Sequence, residues 1–249
     1  MDNASPNAGV CVAKVYLSLP TITHPAFGSA PVRYAVTYLP DDAEGQVAGT
    51  IELMRGYVRE DADTDEIGND VVRALGSEYQ SVGADVSPLT DKECISRVWK
   101  YVRNRMSFVE DDTLTNQFNH QDPEAPIVEA LIRPVDLSVM GKAGGNRVGD
   151  CDDHSMYVAA MLRRLGIRCA FVTVAADSQA PGQMSHVYVA AYTRDGQRIA
   201  VDASHGPYCG WETPDATRMQ EWQVDKPGLL DMIGVGAIVY FAARQLGYV

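Results

Sequence analysis

Paired cysteines are missing from this chain. Its five cysteines (Cys11, Cys94, Cys151, Cys169, Cys209) are scattered, odd in number and free of CxxC spacing. That argues against a disulfide framework, so the compartment is expected to be reducing or its redox state not to matter. Excess positive charge is missing too. With 21 basic against 33 acidic residues the formal net charge is −12, which argues against a nucleic-acid backbone or an anionic membrane surface as the main partner. Long apolar runs are scarce. Residues 1–19 hold neither a basic stretch nor a long apolar core, so no secretion signal is expected. Residues 232–243 are mostly apolar, but Asp231 and Arg244 close the run, well short of the ~20 residues that a membrane span requires. The expectation there is a docked terminal helix, or one that packs on another subunit. No phosphate-cradling loop is visible, because residues 141–145 lack the Lys-Ser/Thr of a P-loop.

What is present is ordinary in bulk and specific in pattern. The 249 residues, 46% hydrophobic and 22% charged, suffice for a substantial buried core in a globular protein. Residues 9–40 read as β, with Val-, Tyr- and Leu-rich stretches at 12–19 and 32–39. From Thr50 the period turns helical, with Ile51, Met54 and Val58 on one face. A second helix is expected over 66–75, after an acidic loop at 60–65. Thr90 and Glu93 form a capping box ahead of Ile95, Val98, Trp99, Val102 and Met106. Residues 111–147, polar and interrupted by Pro123, Pro126 and Pro134, read as one long connection expected to wall a site. A further helix starts at Cys151 behind the N-cap Asp150, with Asp153 in a variant capping box, and stops at Gly166. Strands at 169–174, 186–193 and 197–202 then form an antiparallel meander. The order is α+β. It divides into a β-rich N-terminal arm or module (1–48), a core (49–212) and a C-terminal extension with an apolar helix (213–249).

Chemistry concentrates in Gly149-Asp150-Cys151-Asp152-Asp153-His154, which leads directly into the apolar residues 156–165. Cys151 stands where a helix leaves a loop, and the positive end of the helix dipole favours thiolate there. Cys11, Cys94 and Cys169 read instead as small buried hydrophobes. Three carboxylates oppose the thiolate. A helix terminus contributes only ~0.5–1 kcal/mol, too little to outweigh desolvated neighbouring anions. If Asp150 and Asp153 serve as caps and Asp152 faces solvent, activation falls to an imidazolium partner. Two histidines compete for that role. His154 shares a helical face with Cys151 but has no group to orient it, so it reads as a core or supporting residue. His186 opens a strand, and Asp202 on the next strand can orient it.

Register decides whether His186 and Asp202 meet. A two-residue turn at Asp195-Gly196 sets Asp202 opposite Val189 and sends His186 to the other face. A three-residue turn at Arg194-Asp195-Gly196, with Gly196 left-handed, sets Asp202 opposite Tyr188 and makes His186 and Asp202 diagonal neighbours on one face. The catalytic reading requires the second turn or a compensating bulge. The rival chemistry is a tetrahedral metal site drawn from Cys151, His154, His186, Asp202, His205 and Cys209. One short-spaced pair amid aspartates weighs against it, so neither metal nor cofactor is expected.

The Gly149–His154 segment, residues 162–167, Ser185-His186-Val187-Tyr188-Val189 and Val201-Asp202 resemble the transglutaminase-like superfamily of cysteine enzymes. The resemblance covers roughly residues 90–212, and residues 101–111 are similar to the segment upstream of the family's cysteine. It extends to bacterial and phage members that carry a Gly-Asp-Cys-(Asp/Glu)-Asp-His signature. It implies a papain-like core, with the cysteine helix packed on an antiparallel sheet. It further implies Cys151 as nucleophile, His186 as acid–base, Asp202 as orienter and the Cys151 N–H as one oxyanion donor. Asn146 is the candidate second donor, and Asp150, Asp153 and His154 are the supporting residues. Such enzymes hydrolyse peptide or isopeptide amides, or exchange amines at glutamine, so a protein or peptide substrate is implied. Phage members sit among virion structural genes. The resemblance therefore also implies a phage or prophage origin, a place in the host cytoplasm or virion, and virion subunits as partners through the two terminal regions. The alternative is a virion structural or assembly protein that keeps the fold with little or no activity.

Overall fold

The computed structural model describes residues 35–37, 42–76, 89–111, 129–142, 144, 146–214 and 216–225. The β stretches expected within 9–40 lie outside these residues except for β1 (Ala35–Thr37). The apolar helix expected over 232–243 lies wholly outside them. Helix α1 (Ala43–Asp61) starts earlier than its apolar period does, because the Asp42 carboxylate caps it by accepting the Gly45 N–H at 2.6 Å. It also runs through Glu60 and Asp61, so the expected acidic loop shrinks to residues 62–64. Asp61 is buried there because Arg133 and the Val135 N–H bond its carboxylate. Thr64 caps α2 (Asp65–Leu75). Helix α3 (Asp91–Arg105) carries the reciprocal capping box, with the Thr90 N–H donating to Glu93 Oε2 at 2.8 Å and the Glu93 N–H to Thr90 Oγ1 at 3.3 Å.

The stretch expected as one long connection holds structure of its own. After β2 (Met106–Phe108) come β3 (Glu129–Leu131), antiparallel to β1, and helix α4 (Pro134–Lys142). Pro134 reads as a breaker in sequence, yet at a first helical position its missing N–H costs nothing. Strand β4 (Arg147–Gly149) then pairs parallel with β2 and leads into α5 (Cys151–Arg164).

Helix α5 is buried on every side over Met156 to Leu162, as expected for a helix apolar all round. It packs against α1, α2, α3 and α4 on one side and against β5 (Arg168–Val174) and β6 (His186–Tyr192) on the other. Strand β7 (Arg198–Val201) completes the meander. A fourth strand, β8 (Met219–Gln223), pairs antiparallel with β5 and gives the order β7-β6-β5-β8. The sheet therefore continues past residue 212, where the sequence reading ended the core. The result is a mixed α+β architecture, with the cysteine helix packed on an antiparallel sheet. No helix among the described residues is long and apolar enough to cross a membrane.

Candidate active site

Cys151 is the first residue of α5 and is half-buried. Its neighbours fix the turn around it. Asp150 caps the helix, its Oδ1 accepting the Asp152 N–H at 3.1 Å. The Asp150 carbonyl accepts the His154 N–H at 3.2 Å and lies 2.7 Å from His154 Nδ1. A carbonyl only accepts, so Nδ1 of His154 carries the proton. Burial lowers the pKa of His154, and the ring serves as a neutral strut. Ser155 ties this turn to the sheet: its Oγ lies 2.7 Å from the Cys151 carbonyl and 3.1 Å from that of Val187.

His186 and Asp202 meet through register. Residues 189–192 of β6 pair with 201–198 of β7 in reverse order, which places Asp202 in line with Tyr188. The turn is the three-residue kind. Gly196 is left-handed at φ 86°, and the Thr193 N–H donates to the Gln197 carbonyl at 3.0 Å. His186 Nε2 lies 2.8 Å from Asp202 Oδ2. The other oxygen, Oδ1, accepts the Ser204 N–H at 3.0 Å, the Ser204 hydroxyl at 2.9 Å and the His205 N–H at 2.8 Å. Burial alone would raise the pKa of Asp202. The hydrogen bond and charge of His186, with the His205 and Ser204 donors, outweigh it and hold the carboxyl well below the usual range. Asp202 is thus an anion, Nε2 of His186 donates to it, and Nδ1 is left as the basic nitrogen. From α3, Trp99 Nε1 donates to the Asp202 carbonyl at 2.8 Å and Arg103 donates to the Ser204 carbonyl.

The family model described as the transglutaminase-like superfamily matches residues 80–203, the stretch that contains all of these groups. These residues belong to the transglutaminase-like superfamily. No curated protein matches the chain. Among solved structures, a candidate protease from Parabacteroides distasonis is similar at 11% identity and TM-score 0.37, covering 70% of this chain and 36% of its own. A candidate cysteine protease from Cytophaga hutchinsonii is similar at 15% identity and TM-score 0.32, covering 66% and 58%. The Rad4–Rad23 complex bound to a 6-4 photoproduct UV lesion is similar at 8% identity and TM-score 0.40, covering 73% and 45%. This chain thus spans about a third to three-fifths of the length of these neighbours.

In the transglutaminase-like domain, Cys151 and His186 line one cavity of about 280 Å³, with Asp150, Asp152, Thr173 and Ser185. His186 belongs to the sheet face turned away from the body of α5, but as the first residue of β6 it reaches the rim beside the helix start. Ser185 pins that rim, its Oγ accepting the Ala176 and Asp177 N–H groups at 3.1 Å each. Asn146 is exposed and lies across β4 from Cys151, and it is not among the residues lining this cavity. The structure therefore does not bring the candidate second oxyanion donor to the nucleophile.

The three aspartates differ from one another. Asp152 does not face solvent but is buried, at 2% exposure. Asp153 is fully buried, and its Oδ1 accepts the Ile132 N–H at 2.6 Å. Burial first, then the charges of Asp150 and Asp111, push its carboxyl well above the usual range. The neutral form that burial favours at Asp153 does not oppose a thiolate. Among the described residues, His186, Asp202 and His205 offer ligand atoms within 4.8 Å of one another, as do Asp150, Asp152 and Asp153. Neither group includes Cys151, His154 or Cys209, and a cation in the first would compete with the His186–Asp202 hydrogen bond. Ser155, Ser204, Trp99, Arg103 and Phe108 also support the site without being marked as supports by the sequence. The i, i+4 spacing of Trp99 and Arg103 on α3 was the available signal. In sequence His205 offers itself only as a metal ligand. Its ring instead stands edge-on between those of Phe108 and His186, with centroids 4.8 Å from each.

Proposed function

We propose that this chain is a thiol enzyme acting on an amide bond of a protein or peptide through Cys151, His186 and Asp202. The observation that carries the reading is the 2.8 Å His186–Asp202 contact at the rim of the cavity that Cys151 lines. His186 Nδ1 takes the proton of the Cys151 thiol, and the sulfur attacks the substrate carbonyl. The Cys151 N–H at the start of α5 faces the developing oxyanion. Collapse of the tetrahedral species forms a thioester and breaks the C–N bond. The leaving nitrogen takes the proton from His186. Water or an amine, deprotonated by His186, then attacks the thioester carbonyl, the C–S bond breaks to release an acid or a new amide, and His186 returns the proton to sulfur. Asp202 stays ionised throughout and stabilises the imidazolium.

Iodoacetamide labelling across pH, read by mass spectrometry, tests this reading. The other cysteines are internal references, since burial pushes the Cys169 thiol up to about 12 and that of Cys209 up to about 11. The expected result is selective modification of Cys151 near neutral pH, lost in His186→Ala. If Cys151 labels no faster than Cys94, Cys169 and Cys209, the enzymatic reading is wrong.

A further inference from the structure

Two cavities meet beside Cys151. The inner one, of about 280 Å³, is the one that Cys151 and His186 line; the outer one, of about 370 Å³, reaches Glu44, Arg218, Gln220 and Trp222. Gln46, Val47 and Met184 line both, so the two form one groove. Its floor follows the sheet. Thr173 of β5 lies in the inner part and Trp222 of β8 in the outer, and Trp222 Nε1 donates to Thr173 Oγ1 at 3.0 Å. Its wall is α1, which precedes the family-matched residues 80–203. Neighbouring strands stand ~4.8 Å apart, so the groove runs about 10 Å from β6 to β8, the reach of about three extended residues at ~3.3 Å each.

We propose that the outer cavity is a substrate subsite. It takes an apolar or aromatic side chain of an extended polypeptide, about three residues from the carbonyl that Cys151 attacks. The proposal rests on the thiol-enzyme reading above. The Trp222 ring, Val47 and Met184 supply the apolar contact. Glu44 and Arg218 pair with each other at 3.1 Å at the rim, so the subsite presents no uncompensated charge to its occupant. The acyl part of the substrate stays on the enzyme through both chemical steps, whereas the amine leaves past His186. A walled groove suits the part that stays, so the subsite serves the acyl side.

Two peptidyl chloromethyl ketones test this, one with a single residue and one with four residues and a leucine or phenylalanine farthest from the reactive carbon. The readout is the rate of Cys151 modification by intact mass. The four-residue probe is expected to react at least about tenfold faster, the discrimination that an apolar group in a pocket brings. Trp222→Ala, and Gln46→Trp placing a bulky ring at the junction, are each expected to bring the ratio close to unity. The ratio is internal, so a partly unfolded variant slows both probes alike. Equal rates in the unmodified protein, or an unchanged ratio in Gln46→Trp, overturn the subsite while selective modification of Cys151 leaves the thiol reading standing. Failure of both probes to select Cys151 overturns both.

Discussion

At Gly149 the reason for the residue is spatial. A Cβ there would overlap the Asp153 carboxyl, which packs against the backbone just before the nucleophile. The glycine lets that carboxyl sit inside the fold, where burial pushes its pKa up and favours the neutral form. The sign of the linkage follows. A carboxyl whose folded pKa is raised favours the native state fully below its unfolded pKa of ~3.9, and that contribution is lost as pH rises through the folded value. Asp153→Asn keeps the shape and stays neutral at every pH. Its stability relative to the unmodified protein is therefore expected to rise from acid towards alkaline pH, measured as urea midpoints across a pH series. A relative stability that falls with pH would mean that Asp153 is ionised in the fold. The three aspartates then all oppose the thiolate, and activation rests wholly on His186.

At the scale of elements, the decisive feature is the turn between β6 and β7. The turn pairs Thr193 with Gln197 and so places Asp202 and His186 on one face, whereas pairing Arg194 with Gln197 would turn Asp202 to the other face. Deleting Gln197 keeps the three-residue turn but pairs Thr193 with Arg198, which sets Asp202 opposite Val189 and turns it to the other face. The expected outcome is a folded protein by circular dichroism whose Cys151 has lost its selective labelling near neutral pH. Arg194→Ala keeps both the loop length and the backbone N–H that donates to Asp91 Oδ2 at 2.7 Å, and is expected to label as the parent does. Wild-type selectivity in the deletion variant would refute the register argument. Local chemistry of this kind was legible beforehand. Asp150, the Thr90/Glu93 box, Gly166 and Gly196 each act within a few residues of themselves, and they mark where α3, α5 and the turn begin or end. Elements whose reason is distant were not legible. Strand β8 exists because β5 offers it an edge, and the first turns of α1 form because Asp42 caps them rather than through apolar period. The same division runs through the site. Cys151, His186 and Asp202 stand on recognisable local signals, whereas Ser155, Ser204 and Arg103 act through backbone carbonyls or turns that no spacing announces.

Across the whole molecule, one buried carboxylate joins the elements that carry the cysteine. Asp70 of α2 accepts the Tyr101 hydroxyl from α3 at 2.7 Å, the Tyr157 hydroxyl from α5 at 2.6 Å and Arg73 of its own helix at 2.8 Å. It also meets Arg147 of β4 at 3.5 Å. The Arg147 guanidinium lies over the Tyr101 and Tyr157 rings, where Gly141 leaves it room. Burial would raise the pKa of Asp70, but the hydrogen bonds from Ser138, Tyr157 and Tyr101 and the charge of Arg147 bring it below the usual value. A depressed carboxyl stabilises the fold above its unfolded pKa, and that contribution is lost as pH falls through the folded value. Asp70→Asn leaves the 5%-exposed Arg147 side chain without its counter-charge, a loss worth about 3–5 kcal/mol for a buried pair. The expected result is a much lower urea midpoint near neutral pH, with the gap to the unmodified protein narrowing in acid. Arg147 opens the strand that ends two residues before Cys151. The same variant is therefore expected to slow Cys151 labelling although it touches neither His186 nor Asp202. A variant equally stable to the parent near neutral pH would show that the network is incidental and that α5 is held by apolar packing alone.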